Sequence, residues 1–279
     1  MGKQALCIKR SDLEIDFNTT ALQGIPGNLF QLQAGLVERD ICETDESLVQ
    51  AIPYIAVFDK RGRIFCYERG VKGGEDRLHA KLSIGLGGHV EQAPDTELGL
   101  EAVLLLGAER ELEEELGVAA NVTHFMAAIY TGASGNPVDQ VHLGLLSHVT
   151  LLEDVAGNEP GIIEKGRFMT LTELLLPENF DRLELWSQAV VTRMKEQLSE
   201  TLGSLAGSVG GLLFEANIES ATGLASSAAQ EIGSITQAVA DNILGGFAMA
   251  RLYDDEAALE HLSSVIYSAT EAKRLLGGL

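Results

Sequence analysis

Arg110-Glu111-Leu112-Glu113-Glu114-Glu115-Leu116-Gly117-Val118 is the stretch from which the fold is read. Leu112 and Leu116 continue a stripe that begins at Leu105 and Ala108, and this spacing of three and four predicts a helix over about 96–116 with one apolar face. Gly117 is a natural stop, because helices commonly end on a residue in the left-handed region. On such a helix positions 111, 114 and 115 fall within one turn, so the carboxylates of Glu111, Glu114 and Glu115 converge while Glu113 points elsewhere. Clustered anions repel one another, and a divalent cation resolves the repulsion. Hard oxygen donors suit Mg²⁺ or Mn²⁺, and such an ion both binds phosphate oxygens and lowers the pKa of bound water. Taken by itself, the same run also reads as a solvated acidic face with weak surface pairs to Arg110.

Upstream, Ile52-Pro53-Tyr54-Ile55-Ala56-Val57-Phe58 is a short apolar, β-branched run that predicts a buried strand. Asp59-Lys60-Arg61-Gly62 makes a turn and residues 63–69 resume as a strand, so the two runs form a hairpin. A polar loop over 70–77 leads to Ser83-Ile84-Gly85-Leu86-Gly87-Gly88-His89-Val90-Glu91, whose glycines let the backbone bend tightly and approach a ligand. Downstream, strands are expected over 122–130, 140–151 and 168–171, followed by a helix over 183–198 in which Trp186, Val190 and Met194 share a face. Strands surrounding one long helix, with a second helix closing the unit, make an α/β sandwich. The first 35 residues have no clear pattern.

Beyond about residue 200 the composition shifts to Gly, Ala and Ser, which marks a boundary: residues 1–200 form one domain and 201–279 an appended segment. Leu224, Ala228, Ile232, Ile235, Val239 and Ile243 keep helical spacing, as do Leu259, Leu262, Ile266 and Ala269, so the extension is expected to be a helical hairpin. Its apolar runs are shorter than the roughly 20 residues that span a bilayer. Its stripe carries no flanking Lys or Arg between Leu202 and Ala250, which favours a partner helix or a homodimer contact over a lipid surface. The charge of −21, from 41 acidic and 20 basic residues, repels phosphate backbones and anionic headgroups and argues against nucleic acid as a partner. A small phosphorylated substrate remains compatible, because cations held by carboxylates invert the local potential. Cys7, Cys42 and Cys66 are odd in number and scattered, so neither a disulfide framework nor a zinc site is implied, and a reducing cytoplasm fits best. The first residues show no signal-peptide core and no lipid-anchor pattern.

Gly88 followed by Arg110-Glu111-Leu112-x-Glu114-Glu115-x-Gly117-Val118 resembles the Nudix box, whose second half is matched at every defined position. The resemblance covers roughly residues 35–195 and implies an α/β/α sandwich in which the box forms a loop, a helix and a loop. It further implies that Glu111, Glu114 and Glu115 bind the metal, that the carbonyl of Gly87 joins them, and that Arg110 orients the helix through a salt bridge. The first half departs from the pattern. Gly88 and Arg110 are too far apart, and position 102, where the box places a glutamate, is alanine. Glu101 or Glu97 is then expected to take that structural part. Ile52-Pro53-Tyr54, Gly73-Gly74-Glu75-x-Arg77-Leu78 and Ser83-Ile84-Gly85-x-Gly87-Gly88-His89 are similar to a bacterial Nudix subgroup.

By the same resemblance Arg69, at the end of a strand, is a candidate contact to phosphate or base, its bland alternative being a surface arginine. His89 and Gly88 are candidate substrate contacts, against a histidine that only packs on its loop. Glu164 is the candidate general base, with Glu159 competing, although either is equally read as a surface carboxylate. The implied activity is metal-dependent hydrolysis of a phosphoanhydride in a nucleoside diphosphate linked to another moiety. Two alternatives stay open: a catalytically weak nucleotide sensor that signals through its tail, and an isomerase-like relative acting on isoprenoid diphosphates, suggested by Gly-Gly-His alone.

Overall fold

A computed structural model of the chain describes residues 3–197 other than 61, 71–79, 96 and 152–162, and of Glu164 only the backbone. The chain divides into two compact units, Met1–Val191 and Thr192–Leu279. The helical hairpin expected over 201–279 lies outside the described residues.

The spine of the first unit is β4 (Leu48–Asp59), longer than the expected strand at both ends and buried along nearly its whole length. The strands before it are β1 (Gln4–Lys9), β2 (Ala21–Gln23) and β3 (Ala34–Glu38), and these organise the N-terminal region that has no clear pattern in the sequence. After β4 come β5 (Ile64–Arg69), β6 (Leu82–Ser83), β7 (Gly85–Leu86), β8 (Ala127–Tyr130), β9 (His142–Leu151) and β10 (Ile163–Met169). The sheet runs β10-β5-β4-β9-β8-β2, with β1 on β3 and β4, β6 on β5 and β7 on β4. β4 and β9 pair in parallel from Gln50↔His142 to Asp59↔Leu151, and the other pairs are antiparallel.

The helices are the single turn α1 (Arg39–Cys42), the long α2 (Leu100–Leu116), the short α3 (Pro137–Gln140), α4 (Leu171–Leu174) and α5 (Pro177–Phe180), and α6 over 185–197. Alternation along the central strands produces the layering. Ala51, Ile55, Val57, Leu143, Leu145 and Val149 turn one face toward Leu100, Leu104, Ala108, Leu112 and Leu116 of α2. Tyr54 and Gly144 turn the other way and meet Trp186 of α6, ring to ring at 5.4 Å for Tyr54. The fold is therefore the expected α/β/α sandwich.

Several bounds differ from the sequence reading for local reasons. α2 starts at Leu100 because Asp95 Oδ1 accepts the backbone N–H groups of Glu97 and Leu98, folding that segment into a turn ahead of an extended Gly99. Glu97 is thus off the helix. The strand expected over 122–130 pairs only over β8, the preceding residues being held instead by Val122 N–H on Glu109 Oε1. The last strand ends at Met169, where Thr170 and Glu173 form a reciprocal cap that starts α4. Gly117 ends α2 as expected, at φ 69° and ψ 25°, its N–H on Glu113 O.

Candidate functional site

The last two turns of α2 lie beside the bend at Gly87-Gly88-His89. Glu111 and Glu115 face inward and keep only 8% and 7% exposure, whereas the Glu114 side chain is 54% exposed. Arg110 ties these pieces together. Its Nη1 donates to Glu114 Oε2 at 2.7 Å, and its Nη2 donates to Glu111 Oε1 and to the carbonyl of His89 at 3.0 Å. One guanidinium therefore bridges Glu111 and Glu114 and fastens the helix to the glycine bend.

The bend can approach this closely because it lacks side chains. A Cβ on Gly88 would stand 2.5 Å from Glu111 Oε1, and a Cβ on Gly87 would stand 2.0 Å from the Pro53 carbonyl of β4. Neither residue could be alanine without something shifting. His89 turns its imidazole away from α2 toward His142, with the two Nε2 atoms 3.4 Å apart. Burial, reinforced by the positive charge of Arg39, by His142 and by Lys3, pushes its pKa down to about 3. His89 is accordingly neutral near pH 7.

Among the described residues no three Asp, Glu, His or Cys side chains stand close enough together to hold a cation as arranged. The fit to a divalent metal rests instead on the donor set. Glu111, Glu114 and Glu115 supply hard oxygens within one helical turn, the Gly88 cradle would be filled by any Cβ, and a positive group, the Arg110 guanidinium, already lies between Glu111 and Glu114. These residues fit such an ion.

Arg69, at the end of β5, is held at its backbone by Lys81 and Ala80 and is 24% exposed at its side chain. Its Nη1 lies 3.8 Å from Glu184 Oε2. Burial works against its charge, but the surrounding Tyr67, Glu184 and Glu115 outweigh that and raise its pKa, so it stays a fixed cation. Glu184 is a residue that the sequence reading missed, and Tyr54, Ser83 and Ser187 around it were read only as strand, glycine loop and helix. Of the remaining candidates, Glu101 is half-buried in the first turn of α2 and Glu97 is exposed in the turn before it. Backbone pairing sets Glu164 opposite Glu68, and Glu159 lies outside the described residues.

No family model matches the chain. Protein YmaB of Bacillus subtilis (strain 168) is 38% identical over 170 residues, which cover 58% of this chain and 79% of that protein. Among solved structures, Tm1382, described as a candidate Nudix hydrolase, is 26% identical with a TM-score of 0.53, over 68% of this chain and 96% of its own. DR0079 of Deinococcus radiodurans is 16% identical with a TM-score of 0.40, over 62% of this chain and 97% of that one.

Proposed function

The chain belongs to the Nudix superfamily, and from that premise we propose that it is a divalent-metal-dependent phosphohydrolase of the pyrophosphatase type, cleaving a phosphoanhydride in a nucleoside diphosphate linked to another moiety. The observation that carries this reading is the Arg110 guanidinium bridging Glu111 and Glu114 beside the Gly87-Gly88 bend, because it marks a carboxylate cluster already arranged around positive charge. Glu111, Glu114, Glu115 and the Gly87 carbonyl would hold Mg²⁺ or Mn²⁺. When bound, that ion supplies Lewis acidity toward a phosphoryl oxygen and acidifies water. The remaining work belongs to the chain. Gly88 lets the Glu111 carboxylate lie against the bend, Arg69 offers a guanidinium to the phosphate oxygens, and Arg110 keeps α2 at a fixed distance from the loop. Glu164 is the candidate to accept the proton of the attacking water. Water adds at one phosphorus, the P–O–P bond breaks, and two phosphate monoesters leave.

We take residues 1–200 as the hydrolase domain and 201–279 as an appended helical segment that contacts a partner helix or a second copy. A cytoplasmic location accords with three cysteines that are all free and buried. No helix among the described residues is long and apolar enough to cross a membrane.

The test is an assay of the purified protein against nucleotide sugars, dinucleotides and nucleoside triphosphates with Mg²⁺ or Mn²⁺. Two monophosphate products from at least one nucleoside diphosphate compound are expected, with loss in EDTA and recovery on adding the ion back. Folded protein that turns over none of them would sink the reading. If such protein still bound a nucleotide, and did so equally as Glu114→Gln, a sensor would be the better description.

A further inference from the structure

Glu184 sits where the chain enters α6, and it is fixed at both its backbone and its carboxylate. Its N–H donates to Leu82 O at 2.9 Å while Leu82 N–H donates to Arg182 O at 2.8 Å, so the segment is laced to β6. Its Oε1 accepts from Tyr54 Oη at 3.0 Å and from Ser83 Oγ, and stands 3.3 Å from Ser187 Oγ. These hydroxyls are themselves held. Ser187 Oγ takes the N–H of Ile84 at 3.0 Å and lies 2.8 Å from Tyr54 Oη, and Gly85 leaves room for the Tyr54 ring, which a Cβ there would meet at 2.1 Å. One carboxylate oxygen is therefore saturated by oxygen donors from β4, β6 and α6, and the other faces Arg69.

That second contact differs in kind. A buried carboxylate needs a compensating charge, yet the 3.8 Å between Arg69 and Glu184 lies beyond hydrogen-bond length. The guanidinium is held by charge while its N–H groups are not consumed by Glu184. Arg69 also feels the negative charge of Glu115 on the box helix, so two carboxylates act on it. Without Glu184 the guanidinium would lose the fixed charge that holds it and be free to swing from its place.

We propose that Glu184, braced by Tyr54, Ser83 and Ser187, is a positioning residue that fixes the Arg69 guanidinium and aims it at the diphosphate of the substrate. This rests on the hydrolase reading for the identity of the ligand, and on the Arg69–Glu184 geometry for everything else.

The test uses the full chain as Glu184→Gln, Arg69→Ala and the double variant, with Tyr54→Phe as a milder change that trims one donor to Glu184. Two quantities are read: KM and kcat on the best nucleotide of the panel, and the Kd of inorganic pyrophosphate with Mg²⁺ by calorimetry. Glu184→Gln is expected to raise KM and the pyrophosphate Kd about tenfold with kcat little changed. Tyr54→Phe should move both the same way by less, and in the Arg69→Ala background the Glu184 change should add almost nothing. A purely structural role would instead lower Tm without this split between KM and kcat. Should Glu184→Gln not fold, Tyr54→Phe with and without Arg69→Ala decides. Unchanged KM and Kd, or an equal loss in the Arg69→Ala background, overturns the proposal. If no nucleotide is hydrolysed the function assigned above falls, while the pyrophosphate titration still judges Glu184, and unaltered protein that takes up no pyrophosphate overturns this proposal as well.

Discussion

A methyl group on Gly88 would land on the carboxylate of Glu111, and one on Gly87 on the backbone of β4. The two neighbours should therefore fail differently. Gly88→Ala meets a side chain that can swing, so hydrolysis is expected to drop about a hundredfold through a misplaced Glu111 with only a small fall in Tm. Gly87→Ala meets a carbonyl that cannot move without the central strand, so it should lose thermal stability first. Matched melting and rate measurements separate these outcomes, and a Gly88→Ala protein of full activity would show that Glu111 does not need its present place. Legibility follows the same divide at this scale. Glu111, Glu114, Glu115 and Arg110 stand within six positions and could be read because a helix brings them together locally. Glu184 could not, since it meets Ser83 from 101 positions away and nothing in Leu183-Glu184-Leu185 distinguishes it from a surface glutamate.

The ends of α2 set where its carboxylates point. Gly117 has φ 69°, so Gly117→Ala should cost about 1 kcal/mol in chemical denaturation. At the other end the Leu98 and Glu97 N–H groups stabilise the Asp95 carboxylate and hold its pKa below the ordinary value. A depressed acid contributes stability above its unfolded pKa and loses it as pH falls through the folded one. Wild-type melting temperature should thus fall, as pH drops below about 4, by more than that of Asp95→Asn, while above pH 5 the variant is simply the less stable of the two. Identical slopes for both would remove Asp95 from the account of how α2 begins. The sequence placed this start near residue 96 because apolar periodicity cannot register a side chain that ties the backbone into a turn. β1 and β3 escaped for a related reason: their pairing with each other and with β4 is long-range, and Gln4–Lys9 has apolar residues on both faces.

At the scale of the molecule, a charge of −21 surrounds a site proposed to attract cations. Added NaCl should therefore weaken Mn²⁺ uptake well before it alters folding, which titrations at two ionic strengths would read. A chain ended after residue 200 is expected to keep its kcat and, if the extension joins two copies, to elute later in gel filtration. Loss of kcat in a folded truncation would contradict the assignment of 1–200 as the hydrolase. The parallel union of β4 with β9 carries one more implication. Parallel strands need a crossover, and here it includes α2 and β8, so β4 has no companion on that flank until residue 151 has left the ribosome. For the stretch of synthesis in between, one of the most oily strands of the chain stands open, a natural client for chaperones. Fragments stopping short of His142 should precipitate rather than persist.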